Sequence, residues 1–559
     1  MIPPMSYISG KQAFLQILRQ EGVSVMFGNP GTTELPLMDG LARSPGIRYV
    51  LALQEGVAIA MADGYAQASG GLGAVNVHVS PGLGNAMGML YDAFKAGAPL
   101  LLTAGQHDQC FTATEPILWS ELPPIAQPFV KWSTELRRLE DLPRIVHRAV
   151  KTALAHPTGP VFLSLPVDVL NNERDLDLGT PTRVAPRMIG DRHAVAEAAR
   201  LLARAERPLI VAGDAVAHGD ALAELAELAE LVGCPVMTEG VSSTCSFPFT
   251  HPLYGGSMPR LGPPIRALLM RHDLLFSVGG DLFTLSLPDD VDPMPPGLTV
   301  VHLDVNPWEI GKNYPAAVGI LGDPKATLPE LSEAVRRETG AKGHPDASRR
   351  RDATRSAYAS ARGELVARAE KDAATVPISP LSLVHAVSKS VPANVTLIDE
   401  AISSSAGIRD FFPCADAKSF FGIRGGGIGW GLPATLGVKL ALPERPVVAL
   451  IGDGSAMYTN QALWTAARES LAVVYVIFNN HSYRILKQRT RALKGFSAED
   501  DVYVGMDLTP PIDFVGLAKS LGVPGERIEK SAGVGPAVAR GLASGGPYLV
   551  DVVIDPSFT

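Results

Sequence analysis

Short β-rich runs alternate with helical patterns through three long stretches of this chain, and that alternation constrains its fold more than any other feature. In the first stretch, residues 23–27, 48–53, 74–79 and 100–103 read as strands with helical patterns between them. Strands near 208–212, 235–238, 274–278 and 299–305 mark a second stretch, and a third runs from about 395 to a strand at 548–554. Alternation of this kind dictates parallel sheets covered by helices on both faces. Right-handed crossovers then place all strand C-terminal ends of a sheet on one edge. Residues 171–190 and 338–380 are polar and lose the periodicity, so they read as connecting segments, the second with a helical stretch around 358–369. The expected architecture is α/β, three α/β domains with parallel sheets flanked by helices, spanning 1–180, 190–340 and 370–559.

Composition removes other classes. With 46% hydrophobic and 19% charged residues among 559, the chain is no disordered polymer. Its formal charge of −8 leaves no basic excess for nucleic acid. The basic run Arg349-Arg350-Arg351 sits in a polar stretch and reads as solvated. No apolar run approaches the ~20 residues that span a bilayer, and the first residues lack a secretory pattern. Four scattered cysteines without a CxxC pair point to neither zinc nor a disulfide framework, and fit a reducing cytoplasm.

The third stretch holds the strongest chemical pattern. A strand at 446–451 runs into Gly452-Asp453-Gly454-Ser455, a helix follows, and a strand at 473–478 runs into Asn479-Asn480. Taken alone, each dipeptide reads as a turn or loop end. Together they place Asp453 and Asn480 at neighbouring strand ends, on the edge where open sheets bind ligands. A carboxylate and an amide oxygen suit Mg²⁺, whose shell phosphate oxygens commonly complete. Gly452 and Gly454 allow close backbone approach, and a helix N-terminus after Ser455 favours negative charge.

Two further features are ambiguous taken singly. Glu55, in LALQEGVAIAMADGYAQ, opens a helix, where an acid is favoured by the helix dipole or can serve as a carboxyl in an apolar site. The segment 423–433, IRGGGIGWGLP, invites a dinucleotide fingerprint, but Pro433 lies inside it and no clear strand leads in, so it reads as a Gly-rich turn.

GDG, 24 intervening residues and NN resembles the motif of thiamine diphosphate (ThDP)-dependent enzymes, and the likeness extends over nearly the whole chain. The resemblance implies pyrimidine-binding, central and diphosphate-binding domains in that order. It implies that Asp453, Asn480 and the main-chain carbonyl of Ser482 bind Mg²⁺, with Gly454, Ser455 and Tyr483 around the diphosphate. Ser403 stands where the family uses a hydroxyl against the diphosphate, while Ile402 replaces a residue that is often Thr. Gly426 would offer its carbonyl to the aminopyrimidine, and Ile428 would be the bulky wedge that bends the cofactor. LQEG…ADGYA matches the family's glutamate motif, so Glu55 would bind the pyrimidine nitrogen and activate the cofactor. In this family the two halves of the site come from different subunits, which implies a homodimer as the minimal active unit and a homotetramer as the assembly.

Within that family, FGNPGTTELP, LALQE…ADGYAQAS and QALWTAARES resemble the benzoylformate decarboxylase branch. By that resemblance Asn29, Pro30 and Gly31 belong to the cofactor site, Thr32 orients the substrate carboxylate, and His78 transfers protons. The branch's second histidine is missing from 279–290, where Ser286 or a neighbour stands near its place. The central segment 300–315 instead resembles acetolactate synthases, but GGDLF lacks the arginine of their FAD-binding segment. The expected activity is a ThDP- and Mg²⁺-dependent decarboxylation of a small-molecule 2-oxo acid, an arylglyoxylate such as benzoylformate, without FAD. Carboligation of acetolactate synthase type and 2-hydroxyacyl or acyloin lyase chemistry are the alternatives. Phe111, Trp119 and Phe283, from 107–120 and 281–290, would line an aryl pocket together with 484–500, or else belong to ordinary core.

Overall fold

The computed structural model describes residues 6–558 apart from 286, 289 and 342. Ser286 therefore lies outside the described residues. Three six-stranded parallel sheets follow one another along the chain. The first contains β1 (Val25–Gly28), β2 (Arg48–Leu51), β3 (Gly73–Val77), β4 (Leu100–Gln106), β5 (Ser133–Glu135) and β6 (Val161–Pro166), in spatial order β2-β1-β3-β4-β6-β5. The second contains β7 (Pro208–Ala212), β8 (Val236–Thr238), β9 (Tyr254–Ser257), β10 (Leu274–Val278), β11 (Thr299–Asp304) and β12 (Val318–Leu321), ordered β9-β8-β7-β10-β11-β12. The third contains β13 (Thr396–Glu400), β14 (Phe420–Gly422), β15 (Val447–Gly452), β16 (Val473–Asn479), β17 (Gly525–Ile528) and β18 (Tyr548–Val553), ordered β14-β13-β15-β16-β18-β17. The outer sheets thus share one topology, and the middle sheet has another. Every residue of β4, β6 and β16 is buried, as expected of strands covered on both faces.

The first and third sheets meet through two helices. α1 (Glu55–Ser69) is buried along nearly its whole length, unlike a surface helix with one apolar stripe. It packs on α3 (Gly431–Ala441); α2 (Ser80–Ala96) lies beside it. The crossing is close because glycines form it: a Cβ on Gly437 would stand 1.9 Å from the Met61 carbonyl oxygen, and one on Gly64 2.4 Å from that of Ala434. The Trp430 indole N–H donates to Asp63 across the same contact (2.6 Å). Burial pushes the Asp63 pKa up to about 6, against the hydrogen bonds from Gln67 and Trp430.

Three local expectations need correction. The segment 171–190 is not all linker: Glu173–Leu176 is a strand paired antiparallel with Ser6–Ser9. Only Leu176 of these four residues is buried, so no apolar alternation announced the strand. In the second polar segment the helix runs over Ala347–Lys371, far beyond 358–369. Only Ala347 and Ala369 of it are buried, and the chain there carries no apolar stripe by which to read its length. Third, a strand does lead into the Gly-rich segment, the three-residue β14.

Candidate active site

At the C-terminal edge of the first sheet, three strand ends converge. β1 runs into Asn29-Pro30-Gly31 and a 3₁₀ turn over Thr32–Glu34, β2 leads to α1, whose first residue is Glu55, and β3 ends one residue before His78. Gln54 caps α1 by accepting from the Val57 N–H (3.1 Å). The Glu55 carboxylate is buried and accepts from Asn85 of α2 (3.1 Å). A Cβ on Gly82 would lie 2.8 Å from the His78 Cβ and 2.9 Å from Glu55 Oε1, so glycine there lets both side chains face one space.

Sequence reasoning missed the residue that organises this edge. Glu34 is buried, and its carboxylate accepts from Gly31 N (2.9 Å), Gly105 N (2.7 Å), the Thr33 hydroxyl (2.8 Å) and His78 Nδ1 (2.7 Å). With a carboxylate at Nδ1, the neutral imidazole carries its proton there and leaves Nε2 as the open acceptor. The available signal was an acid three residues after a turn glycine, reaching back to that glycine's N–H as a capping-box acid does. The threonine hydroxyl near His78 is that of Thr33 (3.3 Å), whereas Thr32 is exposed and, among the described residues, no hydrogen bond joins its side chain to His78.

At the corresponding edge of the third sheet, Asp453 and Asn480 stand side by side: the Asn480 N–H donates to Asp453 Oδ2 (2.9 Å) and the Gly454 N–H to Oδ1 (2.9 Å). Asn480 Oδ1 accepts from both the N–H (3.0 Å) and hydroxyl (2.9 Å) of Ser482. Burial raises the Asp453 pKa to about 6, against the backbone hydrogen bonds it accepts. A bound cation would reverse that rise. Among the described residues no group of three or more His, Cys, Asp or Glu could hold a metal. One carboxylate, one amide and one carbonyl are instead the sparse oxygen set that suits Mg²⁺ when phosphates complete the shell. Tyr483 packs over Gly454, where a Cβ would stand 2.6 Å from its ring. The helix expected at 462–469 is found at Ala462–Arg468, but it starts seven residues past Ser455, so the helix N-terminus expected there is only that of the single turn Asp453–Ala456. Ser455 is buried, with its hydroxyl against Glu400. Ile402 and Ser403 follow β13 in a 3₁₀ turn, and Ile402 has φ +49°, a strained backbone for a β-branched residue.

The Gly-rich segment is the junction of all three sheets. On one side, Gly427 N–H donates to Asp92 of α2 (3.0 Å). On the other, Arg424 enters the C-terminal edge of the middle sheet and meets Glu239 (3.3 Å), Asp281 (3.3 Å) and Asp214 (3.7 Å). Burial pushes Glu239 up to about 8, against the pull of Arg424. Burial opposes ionisation of Asp214 too, but Arg424 and the hydrogen bonds from Ser242 and Ser243 hold it well below the usual range. Although a strand precedes this segment, a dinucleotide phosphate is excluded at α3, because Glu400 already accepts the Gly429 (2.6 Å) and Gly431 (2.5 Å) N–H groups.

Gly426, with φ +87° and open space where a Cβ would be, and Ile428 border a cavity of about 770 Å³. Tyr458, Tyr483, Ile402 and Leu486 also line it. The volume is that of an ordinary small-molecule site, and Gly426 leaves the cradle that the Gly-rich segment needs if a cofactor ring lies against it. From the expected pocket walls, Thr284, Leu285, Ile485 and Leu486 contribute, and residues 107–120 do not. Phe283 is buried against Tyr314, and Phe111 is exposed. Glu55, His78 and Thr32 are absent from the lining of this cavity as well.

The sequence profiles of the thiamine pyrophosphate enzyme N-terminal TPP binding domain, central domain and C-terminal TPP binding domain match residues 8–116, 195–331 and 403–552. A benzoylformate decarboxylase of Pseudomonas aeruginosa is 31% identical, covering 97% of this chain and 98% of its own. A probable acetolactate synthase large subunit of Methanocaldococcus jannaschii is 29% identical, covering 98% and 92%. The solved structure of a thiamine diphosphate-dependent 4-hydroxybenzoylformate decarboxylase from Rhodococcus jostii superposes with a TM-score of 0.87 at 30% identity, covering 99% and 100%. The chain is an enzyme that belongs to the thiamine pyrophosphate-dependent family.

Proposed function

We propose that this enzyme decarboxylates a 2-oxo acid without oxidation, releasing CO₂ and an aldehyde, with ThDP and Mg²⁺ as cofactors and without FAD. Arylglyoxylates such as benzoylformate are the proposed substrates, as in the relatives named above. The observation that carries the reading is His78, held by Glu34 through Nδ1 and sharing the space at Gly82 with Glu55. Bound ThDP would supply a carbon centre able to hold the electron pair left when CO₂ departs.

Asp453, Asn480 and the Ser482 carbonyl would hold Mg²⁺, with Gly454, Ser455, Tyr483 and Ser403 beside the diphosphate. Gly426 and Ile428 would set the cofactor's posture, and Asn29, Pro30 and Gly31 would border its far end. Glu55 would hydrogen-bond the pyrimidine nitrogen and supply acid–base chemistry there. His78 moves a proton at Nε2 while Glu34 fixes its tautomer, and Thr32 orients the substrate carboxylate. Because the cavity at Gly426 has no Glu55 in its lining, the proposed active unit is a homodimer with the two half-sites opposed, assembled further as a homotetramer. The cytoplasm is the proposed location.

Incubation with benzoylformate, ThDP and Mg²⁺ tests the reading, benzaldehyde being the expected product. The second reading is a carboligase joining two 2-oxo acid units, supported by the acetolactate synthase relative; pyruvate consumption with acetolactate release would favour it. An acyloin or 2-hydroxyacyl lyase is a third branch, tested by cleavage of benzoin or a 2-hydroxyacyl thioester.

A further inference from the structure

The cavity at Gly426 carries more positive charge than the proposed chemistry uses. Arg260 and Arg409 both line it. Neither has a carboxylate within 4 Å among the described residues, unlike Arg424, which has three. Arg409 is fixed: it donates to the Thr238 hydroxyl (2.9 Å) and the Ser242 carbonyl, with the rings of Phe420 and Phe249 4.8 and 5.8 Å away. Arg260 is exposed at the rim, and among the described residues its one hydrogen bond runs from Nε to the Gly240 carbonyl (2.6 Å). Among the described residues, therefore, nothing pairs the two terminal nitrogens of its guanidinium, which leaves them to a ligand.

The surroundings add to this charge. Although Arg260 keeps solvent access, desolvation of its guanidinium at the cavity mouth, then the like charge of Arg409, lowers its pKa; Asp399 offsets part of that and Arg489 adds to it. Arg489 lies on α4 (Arg484–Ala492), which carries Arg484, Lys487, Arg489 and Arg491 and no acid, and whose Ile485 and Leu486 line the same cavity. Opposing acids are weak. Burial raises the Asp399 pKa, and Glu400 is occupied by backbone N–H groups. A guanidinium without a partner among the described residues at the mouth of this cavity attracts an anion, and its planar fork pairs a carboxylate through two parallel hydrogen bonds.

We propose that Arg260 is a specificity-determining residue that selects a 2-oxo acid carrying a second anionic group at the end remote from the reacting carboxylate. This rests on the decarboxylase reading, in which the reacting carboxylate faces Thr32 and His78 from the other half-site. Arg409 and Arg489 strengthen the field, while Leu285, Ile402 and Leu486 pack on the body of the substrate. A distal carboxylate and a distal phosphonate offer the same chemistry and differ in charge and size.

The test compares phenylglyoxylate with its 4-carboxy and 4-phosphono derivatives on wild-type and Arg260→Gln enzyme. Terephthalate and benzoate serve as unreactive ligands whose binding to the ThDP-loaded protein is read by calorimetry. Wild type is expected to favour a charged derivative by about tenfold or more in kcat/KM, and terephthalate over benzoate, with the preference falling at high salt. The 4-carboxy and 4-phosphono arms tell which anion it is. Arg260→Gln should lose that preference while phenylglyoxylate turnover and ThDP affinity stay unchanged, and Arg260→Lys should restore part of it. A wild-type preference for the uncharged compounds, or an Arg260→Gln enzyme that keeps the charged preference, would overturn the proposal. So would a fall in ThDP affinity in that variant, which would assign Arg260 to the cofactor's diphosphate. Preference for terephthalate without decarboxylation of any substrate would uphold the anion site and sink the decarboxylase reading instead.

Discussion

The first and third sheets have the same strand order but present different chemistry at the same edge. Each crosses over next to its first strand, which leaves a crevice outside the strand ends. In the first sheet, carboxyl and imidazole groups, Glu34, Glu55 and His78, fill that crevice. In the third, one carboxylate, one amide and a run of glycines occupy it. Topology alone therefore fixes where a ligand can sit, and the residues just past each strand decide what it does. On the proposed reading the first edge moves protons and the third holds an anion through a metal.

The largest expected effect separates those two roles. Glu55→Gln should lower kcat by about 10²- to 10⁴-fold while ThDP and Mg²⁺ still bind. Asp453→Ala should instead abolish cofactor retention, seen as lost calorimetric uptake of ThDP. Mixed after reversible dissociation, the two inactive variants should regain roughly a quarter of wild-type activity, because half of the randomly paired dimers then contain one intact site. No recovery would mean that both half-sites act within one chain.

Next comes His78→Ala, expected to slow decarboxylation by about 10²-fold or more at unchanged ThDP affinity. Glu34→Gln should cost less but reshape the response to pH. An amide presents a donor as well as an acceptor to Nδ1, so the tautomer with an open Nε2 is no longer enforced. A kcat–pH profile with the wild-type form would refute the positioning role of Glu34.

The comparison also shows what was legible in the sequence. The three parallel sheets could be read because strand–helix alternation is local, and Asp453 with Asn480 because both sit at the ends of adjacent strands in one βαβ unit. Glu34 acts on a histidine 44 residues away. Asp63 meets Trp430 across 367 residues, Asp92 meets Gly427 across 335, and Arg424 meets Glu239 across 185. No local pattern reports such contacts, since each depends on how separate sheets pack. The strand Glu173–Leu176 escaped for another reason: at the edge of a two-stranded sheet it needs no apolar face.

The junction between the two outer sheets yields the smallest effect and a sign that can be checked. Asp92 is buried, and burial pushes its pKa up to about 8; the Gly427 N–H opposes this, and Asp63 and Glu400 add like charge. In the unfolded chain its pKa returns to about 3.9. Between those values the folded protein holds a proton that the unfolded chain has released, so stability falls as pH rises through that window and the contribution is gone above the folded pKa. Glu239, up to about 8, and Asp63, up to about 6, act in the same direction. Thermal unfolding should therefore occur at lower temperature at pH 9 than at pH 6. Asp92→Asn copies the protonated carboxyl, can still accept from Gly427 and does not titrate, so it should melt above wild type at pH 6 and by a wider margin at pH 9. Identical pH dependence in the two proteins would show that Asp92 is ionised in the fold, and that the glycine segment is held against a charge rather than a neutral acid.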